Sequence, residues 1–245
     1  MNKKYEFTGG TLELYGITLH RIRAVKDFEL MDGSKVHAGD LGGWIETEDN
    51  LSHDGSAWVA DSAQVYESAQ VYGNAWVYSN AQVGGNAQVG GNAWVYGNAR
   101  ICGNAWVADS AQAYGNAQVG GNAWVYDSAR IYGNAGVYDS ARICCNAWVY
   151  GNARICGNAQ VGGNARISTT NDYIVIGPIG SRNDFTTFYK TNSDGIYVAC
   201  GCFNGNIDQF IDRVKNTHGS NWYAQAYLAA AELAKIQIGG GQDDM

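Results

Sequence analysis

The chain has 245 residues, 46% of them hydrophobic, with 33 glycines, one proline and a net charge of −7. That length suits one long domain or two to three small ones, with ample apolar material for a core. Basic and acidic side chains number 6 and 10 in residues 1–54, 5 and 5 in 55–168, and 5 and 8 in 169–245. No segment has the basic surplus that a nucleic-acid backbone requires, so nucleic acid is excluded as a partner.

No apolar run reaches 18 residues, and Met1-Asn2-Lys3-Lys4 has no apolar stretch after it. Neither a membrane span nor a signal peptide is expected, which predicts a cytoplasmic protein. Six cysteines, Cys102, Cys144, Cys145, Cys156, Cys200 and Cys202, are then expected as free thiols. Within the repeats described below they stand where Tyr, Gly or Ala stand in other repeats, as space fillers.

Residues 1–54 read as strands and turns. Ile17–Val25 is extended, and Gly39-Asp40-Leu41-Gly42-Gly43-Trp44-Ile45 is a turn leading into a strand. The expected role is a β cap, because a stacked repeat otherwise ends in an open strand edge and a bare core.

Residues 55–168 repeat with a period of six. Ala recurs from Ala57 to Ala165 in 19 consecutive units, and two residues after each stands Val or Ile, except at Ala113. Gly or Asp, then Asn or Ser, mostly precede the Ala. On a strand, residues two apart face the same way, so Ala and the β-branched residue point inward and their neighbours outward. Gly and Asn tolerate the positive φ of a tight corner. Asp-Ser replaces Gly-Asn as a unit at Asp61, Asp109, Asp127 and Asp139, two chemistries for one bend. Six is not a helical period, and recurrent Gly-Asn would break a helix.

This pattern, shown by Val95-Tyr96-Gly97-Asn98-Ala99, resembles the hexapeptide-repeat proteins. The resemblance implies a left-handed parallel β-helix, a triangular prism with three hexads per coil, often assembled as trimers. Nineteen hexads then give about six coils, roughly 30 Å long at the ~4.8 Å strand spacing. With 18 residues per coil, one face collects Trp76, Trp94 and Trp148 beside a ladder of Tyr78, Tyr96, Tyr114, Tyr132 and Tyr150. So contiguous an aromatic strip predicts an oligomer or contact face, with a trimer favoured.

Residues 169–238 read as a small α+β module with three strands, Tyr173–Ile176, Phe185–Tyr189 and Ile196–Cys202, and two helices. The first helix starts at Asn206 with Gln209 as a capping box and stops at Gly219; the second spans about Asn221 to Ile236. Cys200-Gly201-Cys202 in one strand would aim both thiols to one face. Two ligands are too few for a metal, and neither a metal nor a cofactor is expected. The turn Gly180-Ser181-Arg182-Asn183-Asp184 nominates Arg182, Asn183 and Asp184, with Lys190, for a small anionic ligand. Residues 239–245 form a glycine-rich flexible tail.

The leader Thr18-Leu19-His20-Arg21-Ile22-Arg23-Ala24 and the segment Gly39-Asp40-Leu41-Gly42-Gly43-Trp44-Ile45-Glu46 resemble hexapeptide-repeat proteins of bacteriophages and prophages. That resemblance implies the cytoplasm of an infected or lysogenic bacterial host. Acyltransferases of this architecture use a histidine beside the coils. Here His20, His37, His53 and His218 all lie outside the repeats, so no catalytic residue is nominated. The expected function is a non-catalytic binding or scaffold protein whose partner is a host protein or a small anion. The alternatives are sequestration of a host nucleotide signal between subunits and, behind it, acyl transfer.

Overall fold

The computed structural model describes residues 3–193 and 195–239. The tail expected at 239–245 lies outside them beyond Gly239, as does Asp194. The chain begins with an antiparallel hairpin, β1 (Tyr5–Leu14) and β2 (Ile17–Ala24), followed by the small hairpin β3 (Phe28–Glu29) and β4 (Lys35–Val36) and by β5 (Leu41–Ile45). Among the described residues, each of the 19 hexads then contributes a two-residue strand, from β6 (Trp58–Val59) to β24 (Arg166–Ile167).

Strands three hexads apart pair in parallel, as Gln82 does with Gln64 and Val83 with Val65. Eighteen residues therefore make one coil, and three parallel sheets run the length of a β-solenoid. Each coil donates its amides to the next: Trp76 N–H to Ala93 O at 2.9 Å, Tyr78 N–H to Val95 O at 3.0 Å. The Ala and Val/Ile of every hexad are buried and form one continuous core.

The two corner chemistries make different bonds to the neighbouring coil. At Gly-Asn corners the asparagine amides chain from coil to coil, Asn98 Nδ2 to Asn116 Oδ1 at 3.1 Å and Asn116 Nδ2 to Asn134 Oδ1 at 2.9 Å. At Asp-Ser corners the aspartate takes the left-handed conformation, φ 56° at Asp109. Its carboxylate accepts the N–H one coil on, Asp127 N–H to Asp109 Oδ2 at 3.3 Å and Gly157 N–H to Asp139 Oδ2 at 3.0 Å. The residues change in pairs because each pair carries its own link between coils.

The solenoid has about seven turns, one more than the hexad count predicts. Ile45 pairs with Val65 and Leu51 bridges Val71, continuing two of the sheets toward the N-terminus. This turn is hidden in the sequence because Gly43 stands where Ala stands elsewhere. A Cβ there would lie 2.7 Å from Ala63 O, so only glycine fits.

Stacked coils leave carbonyls open at one end and amides at the other, at about 1–3 kcal/mol for each buried group left unpaired. The N-terminal block answers the carbonyls. Trp44 N–H donates to Ala63 O, Asn50 Nδ2 to Ala69 O, and the buried Lys4 Nζ to Ala57 O at 2.7 Å. At the other end Thr187 Oγ1 accepts Gln160 N–H at 3.0 Å, and Asp172 Oδ2 accepts Ser168 N–H at 2.7 Å.

The C-terminal module is an antiparallel meander of β25 (Tyr173–Ile179), β26 (Asp184–Lys190), β27 (Ile196–Cys200) and β28 (Phe203–Asn206), followed by α1 (Ile207–His218) and α2 (Trp222–Gly239). Tyr173, Tyr189 and Ala199 join the solenoid core, while Phe188 and Val198 pack with Phe210, Val214 and Tyr227 of the helices. The sheet thus lies between the last coil and the helices, and closes the solenoid while carrying them.

Two expectations change here. The segment 196–202 is not one strand: Gly201 at φ +59° turns the chain, and β28 adds a fourth strand. Cys200 therefore ends β27 while Cys202 lies in the turn, and the two thiols do not share a strand face. The helix starts hold, with Asn206 Oδ1 accepting Gln209 N–H and Asn221 Oδ1 accepting Ala224 N–H.

Candidate functional site

A concavity lies at the outer edge of the C-terminal module. It has a volume of about 180 Å³, between the β25–β26 turn, the β27–β28 turn and helix α1. Its floor is aromatic, formed by Phe203, Phe210 and Tyr227. Arg182, Arg213 and His218 supply the basic groups, and Cys200 and Cys202 complete one wall. A shallower depression of about 460 Å³ adjoins it and shares Cys202, Phe203 and Arg213.

Local geometry explains how these groups meet. Gly180 is buried at φ +69°, and a Cβ on it would overlap the Tyr227 ring. The glycine lets the turn close onto α2. Tyr227 stacks on His218 at 5.8 Å and meets the Phe210 ring edge-on at 5.7 Å. Burial holds the Tyr227 phenol above its ordinary pKa, with Cys200 adding to the effect. Arg182 lies across the Gly201 turn and donates from Nη2 to Cys202 Sγ at 3.3 Å. Among the described residues neither Arg182 nor Arg213 has a carboxylate within ion-pair distance.

Of the four nominated ligand residues, Arg182 alone lines this groove. Asn183 is exposed in the turn at φ 49°. Asp184 faces a different depression, beside Arg142 and Gln160. Lys190 stands at the far end of β26, about 20 Å along the strand from Asp184 at ~3.3 Å per residue. It pairs with Ile196, whereas Cys200 pairs with Thr186 at the groove end. Strand direction separates residues that look adjacent on neighbouring strands. Arg213, His218 and Tyr227 escape the sequence reading because they come from helices and meet the turn only through tertiary packing. Arg213 and Thr217, four apart on α1, were the one available signal.

The aromatic strip forms as expected on one face. Tyr78, Tyr96, Tyr114, Tyr132 and Tyr150 stack in sequence, with centroids 4.9–5.2 Å apart and planes within 8°. Trp76 stacks on Tyr78 at 4.2 Å and meets Trp94 edge-on at 5.8 Å. Trp148 packs edge-on to Tyr132, and the Arg166 guanidinium lies 4.2 Å from its ring. All eight side chains are half-buried in the single chain, so stacking covers ring faces and leaves ring edges outward. Burial pushes Tyr78 up to about 12. The strip ends at Trp58, which the small β3–β4 hairpin covers through Phe28 at 5.3 Å.

His53, the histidine nearest the repeats, is engaged in the cap. Its ring stacks on Tyr5 at 4.4 Å and its Nδ1 accepts Lys4 N–H at 3.2 Å.

No helix among the described residues is long and apolar enough to cross a membrane. No curated protein matches the chain. Four stretches of the solenoid, residues 69–86, 99–115, 129–145 and 147–163, match a family described as YdcK Beta solenoid repeat, which agrees with the repeating coils seen here.

Proposed function

We propose that this protein is a non-catalytic binding scaffold, a rigid solenoid that carries a groove for a small anionic ligand on its C-terminal module. One observation carries the reading. Two guanidiniums, Arg182 and Arg213, border a single aromatic-floored concavity without a carboxylate partner among the described residues. Planar guanidiniums suit bidentate binding of carboxylate or phosphate, and an aromatic floor accepts a flat apolar body.

The coils supply stiffness, since each is bonded to the next at all three corners as well as along its strands. The Tyr78–Tyr150 strip is the surface through which copies associate, a homotrimer by the resemblance of its repeats. On this reading the protein works in the cytoplasm of an infected or lysogenic bacterium, as the phage-like leader suggests. Sequestration of a host nucleotide signal is a narrower form of the same reading. The aromatic floor favours it, because a base would stack where an inorganic anion would not. Acyl transfer has less support, because His53 is packed into the cap by Tyr5 and Lys4.

The test is thermal melting of the intact protein with inorganic phosphate, small dicarboxylates and cyclic nucleotides. A ligand at 100 times its Kd adds about 2.7 kcal/mol and raises Tm visibly. The rise should vanish in Arg182→Ala and Arg213→Ala. No shift with any of these ligands at millimolar concentration removes the groove from consideration.

A further inference from the structure

Two left-handed corners of the solenoid, at Ser79 and Cys145, have neither the glycine nor the carboxylate of the other corners, and the one at Cys145 sets a second cysteine beside it. In the column Gly91, Asp109, Asp127, Cys145 and Gly163, the turn residue is otherwise glycine, or an aspartate that bonds the next coil. Cys145 adopts the same left-handed conformation, φ 61°, which costs a non-glycine residue roughly 1 kcal/mol. A thiol is a poor acceptor and replaces neither the freedom of glycine nor the bond of aspartate. The residue before it, Cys144, occupies a position held by Tyr126 one coil earlier and Gly162 one coil later.

The donors converge. Cys144 Sγ and Cys145 Sγ are 3.2 Å apart. With one oxygen of Asp127 they form a set in which all three atoms lie within 4.8 Å. The Asp127 carboxylate is oriented because Oδ2 accepts Cys145 N–H at 3.1 Å, which leaves its other oxygen free. Gly162 keeps space beside the sulfurs: a Cβ there would lie 3.0 Å from Cys144 Sγ and 3.8 Å from Cys145 Sγ. The thiols are half-buried, so a bound ion would remain reachable from solvent.

We propose that Cys144, Cys145 and Asp127 form a chelating site for a thiophilic divalent cation of the zinc class. Two thiols and one M²⁺ give a dithiolate complex and release two protons to solvent, with Asp127 as third ligand and water as fourth. At Zn–S ≈ 2.3 Å, tetrahedral sulfurs stand about 3.8 Å apart, so the pair must open by about 0.6 Å. Rotation of the Cys145 side chain toward solvent provides this. A disulfide fits less well, because adjacent Cα atoms are about 3.8 Å apart while disulfides prefer 4.4–6.8 Å.

The experiment titrates the reduced full-length protein with Cd²⁺ and follows the ultraviolet thiolate-to-metal band and the bound mass. The expected result is one strongly bound Cd²⁺ per chain, lost in Cys144→Ser and in Cys145→Ser and retained in Cys200→Ser/Cys202→Ser. Asp127→Asn should weaken binding at least tenfold, the scale on which supporting groups act on metal affinity. Because substitutions at a corner can disturb folding, a second measurement uses wild-type protein. Bound Cd²⁺ should shield Cys144 and Cys145 from iodoacetamide while Cys102 and Cys156 still react. The absence of a band, a band that survives both serine variants, or alkylation of the pair unchanged by Cd²⁺ would overturn the site. So would freshly isolated protein lacking two hydrogens at Cys144–Cys145, which would make the pair a disulfide.

Discussion

Lys4 reaches beneath the first full coil of hexads and donates from Nζ to the carbonyl oxygen of Ala57 at 2.7 Å. The side chain is fully buried, and desolvation lowers its pKa from 10.5 to about 8. The folded chain releases this proton near pH 8, while the unfolded chain holds it to about 10.5. Between these values the unfolded state binds more protons, so raising the pH favours folding. Denaturant melts at pH 8 and pH 10 should therefore show wild type gaining stability relative to Lys4→Met. Parallel pH dependence in the two proteins would show that Lys4 carries no buried charge.

The tyrosines act with the opposite sign. Tyr78, Tyr126 and Tyr189 are each raised by burial to about 12, above the ordinary 10.0. Their contribution is complete below pH 10 and is lost as pH rises through 12. The share of the phenolate absorbance that Tyr78→Phe, Tyr126→Phe and Tyr189→Phe remove should appear late and together with loss of the far-ultraviolet β signal. If that share instead rises around pH 10 in intact protein, the burial of these three rings is contradicted.

The aromatic strip makes a prediction that separates its two roles. Replacing Tyr96 and Tyr114 with Ser removes three consecutive stacks, each worth about 0.5–1.5 kcal/mol. If the strip joins copies of the chain, the double variant becomes smaller in solution by light scattering. A lower Tm at unchanged size would restrict the strip to bracing neighbouring coils.

Gly180 should tolerate no side chain. Gly180→Ala adds a Cβ into the Tyr227 ring at a positive φ and should cost at least about 2 kcal/mol. Because Tyr227 is displaced, anion binding should weaken as well, while the solenoid signal persists. A variant with wild-type Tm would mean that the turn and α2 do not meet as described.

The solenoid was legible because its core is written in a two-residue code, Ala57 with Val59 and so on, that local strand geometry turns directly into burial. The extra turn was not legible, since Gly43 replaces the small residue and eight residues instead of six separate Leu51 from Val59. In the C-terminal module the helix caps at Asn206 and Asn221 depend on near neighbours and could be read in advance. The Gly201 turn was missed because Ile196–Cys202 alternates like a single strand. The groove was half visible: Arg182 was identified from its turn, while Arg213 and Tyr227 join it only through packing of the helices on the sheet.

The most direct test of the binding scaffold is native mass spectrometry of the intact protein purified from a bacterial cytoplasm. The account predicts an assembly of three 26.4 kDa chains that retains a small anion, with the anion lost in Arg182→Ala/Arg213→Ala. A bare 26.4 kDa chain, carrying nothing and unaffected by those substitutions, would contradict it.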